Sequence, residues 1–327
     1  MINRSRYLAW NVLRLGFPCL LTLGACTGSP EPSPSPTLDA ASSGAGTNAG
    51  GAPVMGSAGA TVAGSSAAGV PAAGGASAGA SSGGGGGGAA TAGAGGGAGA
   101  GGMPPLEGPF QVLAFSKTVG FRHDSIGAGL ELLSELGMEH DFSVTKTEDG
   151  ADFTDQNLAQ YAVVVFMNAS GDVLDDTQQG AFERYIRAGG GYVGVHCASC
   201  AEGGWAWYGE LVGARFSGHP AIQKVTIKLE NHEHPSNLEL PDVWIRDEEP
   251  YNFSLNPRAN VTVLATFDES TYQGGSMGDD HPITWCHEFD GGRSWYTGLG
   301  HIGQGYMEEN FVQHLLGGVE WAAGRAP

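Results

Sequence analysis

The chain has 327 residues, of which 34 are acidic and 15 basic, giving a formal charge of −19 with histidine neutral. A chain this acidic repels phosphate backbones and anionic headgroups, which excludes nucleic acid as a partner and peripheral docking on a lipid surface. Half of its 56 glycines fall in the first third of the sequence, a share there far above the usual one of about 7%, so the folded mass must lie further on.

The sequence opens on Met1-Ile2-Asn3-Arg4-Ser5-Arg6, basic and free of acids, and an apolar stretch follows from Leu15 to Leu23. That is the layout of a secretory signal. Gly16 and Pro18 interrupt the apolar run, which is short for a membrane span. It ends in Leu23-Gly24-Ala25-Cys26, which resembles the bacterial lipobox. The resemblance implies that residues 1–25 are a lipoprotein signal peptide and that Cys26 is lipidated. Cleavage removes Arg4, Arg6 and Arg14 and no acid, leaving twelve basic residues against 34 acidic ones, about −22. Membrane association is then expected through the lipid anchor only, in the cell envelope. Thr27, which is not the aspartate that signals inner-membrane retention, favours the outer over the inner membrane.

Residues 26–109 hold the lipidated cysteine and a stretch of Gly, Ala, Ser, Thr and Pro with hardly a large apolar side chain, including an unbroken run from Gly83 to Gly88. No core can form from this composition. A disordered tether is expected, with a root-mean-square span of roughly 50 Å.

Residues 110–327 are enough for one α/β core. Phe110 to Phe115 reads as a strand, and Asp124-Ser125 caps a helix carrying Ile126, Leu130, Leu133 and Leu136, ended by Gly137. A second strand covers Val144 to Thr147. Tyr161 to Met167 is apolar on both faces and belongs inside a parallel sheet. Asp175-Asp176 opens a helix with Phe182, Tyr185 and Ile186 inward, and Tyr192 to Val195 is another buried strand. Further strands are expected at 222–229, 260–267, 282–289 and 294–299, with a closing helix from Glu308 to Ala323. The βαβαβ order predicts an α/β fold with an open, mostly parallel sheet and helices on both faces, whose ligands bind at the carboxyl ends of the strands. His123, His196 and His301 all follow predicted strands.

Phe121-Arg122-His123-Asp124, the Gly189 to His196 segment, the Trp207, Leu211, Gly213, Phe216 and His219-Pro220 series and His234-Pro235 all carry a family likeness. So do Asp247-Glu248 with Tyr251, Pro282 with Trp285, Gly292-Arg293, Gly298-Leu299-Gly300-His301 and Trp321-Ala322-Ala323-Gly324. In this order, and across essentially the whole of 110–327, the chain resembles the ThuA-like (trehalose-utilisation) family. The resemblance implies a fold like the class I glutamine amidotransferases (flavodoxin-like) and a role in sugar metabolism. Amidotransferases of that fold place a nucleophilic cysteine on a tight turn after a buried strand. Here Gly194-Val195-His196-Cys197-Ala198 puts His196 at that elbow and Cys197 one residue later, rotated away from the pocket, which speaks against thiol chemistry.

The imidazole of His196 is read as general base, general acid or metal ligand. With His301 and Glu248 it forms the expected catalytic set, and His123, His219, Asp247 and Tyr251 are the expected substrate contacts. Asp247, Glu248 and Glu249 form an acid run, and glycosyl chemistry uses carboxylates to protonate a leaving oxygen or stabilise charge. His196, His219 and His301 are the candidate ligands if a divalent metal such as zinc is bound. Trp207 and Trp285 are expected to be structural. With Cys19 removed and Cys26 lipidated, an oxidising envelope predicts a disulfide between two of Cys197, Cys200 and Cys286.

The expected partner is a carbohydrate or small-molecule sugar. The expected function is a lyase, hydrolase or isomerase acting on a disaccharide such as trehalose or its 3-keto derivative by His/carboxylate acid–base chemistry. The alternative is a non-catalytic carbohydrate-binding surface lipoprotein.

Overall fold

The computed structural model describes residues 106–325; the signal segment, Cys26 and nearly all of the expected tether lie outside the described residues. β1 (Phe110–Phe115), β2 (Phe142–Thr147), β3 (Val163–Met167) and β4 (Gly191–Val195) alternate with α1 (Ile126–Glu139), α2 (Asp155–Leu158) and α3 (Asp176–Arg187). They are followed by α4 (Ala206–Val212), β5 (Phe216–Gly218), β6 (Gln223–Leu229), β7 (Val243–Glu248) and β8 (Asn252–Phe253). β9 (Thr262–Phe267), β10 (His281–Phe289), β11 (Gly292–Thr297) and α5 (Glu309–Ala323) complete the chain. No described helix is long and apolar enough to cross a membrane.

Nine strands form one sheet in the order β2-β1-β3-β4-β11-β10-β9-β6-β7, and β5 pairs with β8 apart from it. The block from β2 to β11 is parallel, and the remaining pairings are antiparallel. Only β10 and β6 therefore run against the other strands, and the carboxyl ends of the rest meet at one edge. Every residue of β3 and β4 is buried, as parallel strands covered on both faces require. Each large apolar side chain so buried contributes about 1.5–3 kcal/mol. One cover comes from α3 and α4, through Phe182 against Tyr192 and the Tyr192–Tyr208 hydroxyl pair at 2.8 Å. The opposite face is covered by α1 and α5, with His314 of α5 packed on the Trp295 ring. The architecture is the expected open α/β sheet of the flavodoxin-like, glutamine amidotransferase-like class.

Local departures from the expected elements have local causes. α1 runs through Gly137 to Glu139, because a β-carbon at Gly137 would sit 2.6 Å from the Phe142 carbonyl oxygen; the glycine permits a close approach and does not end the helix. Ser125 precedes α1 without capping it by its side chain, since its hydroxyl donates to the Gly300 carbonyl at 2.9 Å. α3 opens with a capping box between Asp175 and Gln178. β7 lacks the apolar pattern that announces a strand, because its pattern is inverted: Val243 and Ile245 are exposed while Arg246 and Glu248 are buried.

Pairing levels the strand ends. Phe115 stands beside Phe166, and Val195 pairs with both Met167 and Thr297. The chain therefore leaves β3, β4 and β11 at one height, delivering Asn168, His196 and Gly298 side by side.

Candidate active site

His196 begins the turn after β4 at φ +48°. A non-glycine residue in this region costs on the order of 1–3 kcal/mol, which its surroundings must offset. They do so through its own groups: the Tyr296 hydroxyl donates to the His196 carbonyl at 2.8 Å, and the ring Nδ1 lies 2.7 Å from the Gly298 carbonyl. A carbonyl only accepts, so Nδ1 carries the proton and Nε2 is left as the atom facing the site. Tyr251 stacks on this ring at 3.9 Å between centroids. Asn168, also left-handed at φ +53°, ties the neighbouring loops together. Its Oδ1 accepts from the Cys197 amide at 3.3 Å, and its Nδ2 donates to the hydroxyls of Ser125 and Tyr306, each at 3.3 Å. Both hydroxyls in turn donate to the Gly300 carbonyl.

The centre of the site is Glu249. Its Oε2 lies 3.0 Å from His301 Nδ1 and 3.5 Å from His196 Nε2, while its Oε1 lies 3.0 Å from His219 Nδ1. His196 Nε2 and His301 Nδ1 are themselves 3.3 Å apart. His123 presents its ring edge-to-face to those of His196 and His301, with centroids at 4.8 and 5.0 Å. His123, His196, His301 and Glu249 together offer four donor atoms within 4.8 Å of one another, and this is the group among the described residues that could hold a metal ion. Burial alone pushes the Glu249 carboxyl upward, but the imidazoles of His196 and His301 beside it outweigh that and hold the group at about 2. The Glu249 hydrogen bond likewise raises His301 against the effect of its burial.

The structure brings the rings of His123, His196, His219 and His301 to one place and gives three other expected site residues different surroundings. Glu248 is buried beneath the loop as its anchor: Oε1 accepts from the amides of Glu249 and His301, and Oε2 from that of Gly300, all at 3.1 Å. Arg246 sits 3.3 Å from the same carboxylate, with its guanidinium against the Trp244 and Phe311 rings. Alternation along β7 sends Asp247 to the opposite face. There it is exposed and pairs with Lys224 at 3.4 Å, on the face turned away from Glu248. Tyr251 is buried behind His196, with its hydroxyl 3.9 Å from Cys200 Sγ. The carboxylate the site does use, Glu249, falls just past the strand end, where the alternation of β7 stops.

Cys197, Cys200 and Cys286 are all free, in place of the expected disulfide. Cys197 and Cys200 share one turn of 3-10 helix, and their thiols interact: the hydrogen bond from Cys200 draws Cys197 down, with His123 assisting, while Cys200 is raised. Cys286 is buried within β10, and burial pushes its thiol up to about 12. Trp285 is buried with its indole donating to the Val212 carbonyl, and Trp207 donates to Asp290; both serve packing, away from Glu249.

The family model of ThuA, described as trehalose utilisation, matches residues 111–322. Among solved structures, a ThuA-like protein from Bacteroides uniformis ATCC 8492 is 23% identical at a TM-score of 0.57, with 67% of this chain and 94% of that one covered. A ThuA-like protein from Parabacteroides merdae ATCC 43184 is 22% identical, also at 0.57, with 67% and 91% covered. At these identities the likeness to the two structures is one of fold. No curated protein matches the chain. The match over 111–322, which takes in all of the sheet but Phe110 and every imidazole of the site, makes the chain a member of the ThuA, or trehalose-utilisation, family.

Proposed function

We propose that this chain is an enzyme acting on a disaccharide, trehalose or its 3-keto derivative, by imidazole–carboxylate chemistry. The observation that carries the reading is the division of labour on Glu249, which holds His219 with one oxygen and His301 and His196 with the other. His219 Nδ1 faces two acceptors, Glu249 Oε1 at 3.0 Å and the Pro220 carbonyl at 2.9 Å. Nδ1 therefore bears the hydrogen, and Nε2 is a free proton acceptor. The His219 side chain is 41% exposed and that of His301 19%, whereas His196 is fully buried. A sugar thus meets His219 first and the buried imidazoles last.

In a 3-keto sugar the carbonyl acidifies the neighbouring C–H. His219 Nε2 takes that proton, and the electron pair passes into the enolate, whose oxygen is stabilised at the His301–His196 end. Collapse of the enolate expels the glycosidic oxygen, which recovers a proton from the imidazolium of His219. The family description supports the sugar class. Incubating the full chain with trehalose and 3-keto-trehalose tests this. Turnover of one of them is expected, falling about 100-fold in His219→Gln and staying near the parent rate in Cys197→Ser. No turnover by the parent, or activity that vanishes only in Cys197→Ser, overturns the reading.

We propose further that the domain works in the cell envelope, held by lipid on Cys26; the basic start and the Leu23 to Cys26 motif support this. Cys26→Ser should release the protein from membranes, and persistence in salt-washed membranes counts against the anchor.

A further inference from the structure

We infer that His123, His196, His301 and Glu249 form a binding site for one divalent first-row transition metal ion, of which zinc is the best fit. Three interatomic distances define the site. Glu249 Oε2, His301 Nδ1 and His196 Nε2 make a triangle with sides of 3.0, 3.3 and 3.5 Å. Ligands ~2.0–2.1 Å from a tetrahedral zinc stand ~3.3 Å from one another, so one ion can touch all three corners without rearrangement. The donor atom of His123 lies within 4.8 Å of the other three and is the one that must close in.

Hydrogen bonding among these groups does not account for the triangle. His196 spends its ring proton on the Gly298 carbonyl, so a bare Nε2 lone pair faces a carboxylate oxygen and a second imidazole. A single hydrogen on His301 Nδ1 can serve only one of these two neighbours at full strength. His123 is 4% exposed, and its Nδ1 is a buried polar atom with no hydrogen-bond partner. A buried polar atom of this kind is destabilising wherever nothing satisfies it. One cation among these four groups meets the converging lone pairs together.

The surrounding contacts are those of a supported ligand set. The Gly298 carbonyl fixes the tautomer and plane of His196, and His219 grips the outer oxygen of Glu249. Glu248 holds the His301 and Glu249 amides in place, so the two ligands move as one unit with the buried Arg246. Outer contacts of this kind orient metal ligands and tune their basicity. Three imidazoles and a carboxylate suit zinc, iron, cobalt or nickel better than the oxygen-loving magnesium or calcium. An exogenous oxygen would enter as a fifth ligand, from the side of the partly exposed His301 and His219. The role of that position, binding the carbonyl or hydroxyl oxygen of a sugar, rests on the proposed function; the ligand set itself stands on the geometry.

The test is metal titration of the full chain after dialysis against a chelator. Zinc is followed by calorimetry and elemental analysis, and cobalt(II) by its visible absorption. One ion per chain is expected, with visible bands of a nitrogen–oxygen set and no intense thiolate-to-cobalt band in the near ultraviolet. His301→Gln and His123→Gln should each weaken zinc binding at least tenfold, while Asp247→Asn and Cys197→Ser bind as the parent does. The parent's own stoichiometry keeps the proposal falsifiable if a histidine variant fails to fold. A parent that takes up no ion overturns it, as does a thiolate band or a loss of binding confined to Cys197→Ser. One zinc per chain without sugar turnover leaves this site standing and removes the proposed reaction. Turnover by a chain that binds no ion does the reverse.

Discussion

The two halves of the sheet build the site by different physics. In the parallel half, strands apolar on both faces end at one height, and the backbone turning off them aims His196 through a left-handed residue and His301 through Gly300 at φ +115°. In the antiparallel half, β7 turns charge inward: Arg246 and Glu248 are buried, and that pair fixes the loop carrying Glu249. Imidazoles are thus placed by backbone geometry, and the carboxylate by a buried ion pair. The halves should accordingly fail in different ways.

The largest loss is expected on the antiparallel side. Arg246→Met leaves Glu248 with its three amide contacts but no counter-charge, and breaking a buried pair from one side costs about 3–5 kcal/mol. Urea denaturation should show it; a loss under about 1 kcal/mol would mean that the amides alone hold Glu248. On the parallel side, Gly300→Ala forces a side chain into left-handed backbone and sets its β-carbon 2.7 Å from the Tyr306 hydroxyl. A loss of about 1–3 kcal/mol is expected in thermal melting, and an unchanged melting temperature would show that this turn does not need a glycine.

The helix joining the halves should report through pH. His314 of α5 touches the rings of Trp295 in β11 and Trp244 in β7, and burial lowers its pKa from 6.5 to about 3. Nearby His234 is lowered by burial to about 4. Both take up protons more readily unfolded than folded, so stability is full above 6.5 and is lost as pH falls toward the folded values. The slope is about 1.4 kcal/mol per pH unit for each group. His314→Asn should flatten the curve between pH 6.5 and 4.5 by one such contribution, and a variant with the parental slope would show that His314 is not the group responsible. The smallest effect belongs to the exposed Lys224–Asp247 pair, with side chains 68% and 63% exposed. Lys224→Met should cost at most about 1 kcal/mol, a bound that salt-dependent melting can check.

The same division explains what was legible in the sequence. Runs such as Val163 to Met167 announce a buried parallel strand by themselves, and strand-end histidines then fall on one edge by topology alone. β7 defeats this reading, because its apolar residues Val243 and Ile245 face solvent while an arginine and a glutamate face the core. Without that register the acid run 247–249 is three equivalent carboxylates. With it, Asp247 points out, Glu248 braces the loop and Glu249 enters the site. The sequence marks Ser125 only as a helix cap and does not mark Asn168, for a related reason: their hydrogen bonds go to Gly300 and Cys197, partners distant in sequence. The free thiols differ from expectation because Cys286 is enclosed in β10 while Cys197 and Cys200 engage each other and Tyr251.

The measurement that bears most directly on this account is sugar turnover by Glu249→Gln and Asp247→Asn, assayed together on the full chain with 3-keto-trehalose and trehalose at matched thermal stability. Glu249→Gln should lose at least about 100-fold in rate, since one substitution releases His219, His301 and His196 at once, while Asp247→Asn should match the parent. Full activity in Glu249→Gln, or a loss confined to Asp247→Asn, would contradict a site centred on Glu249.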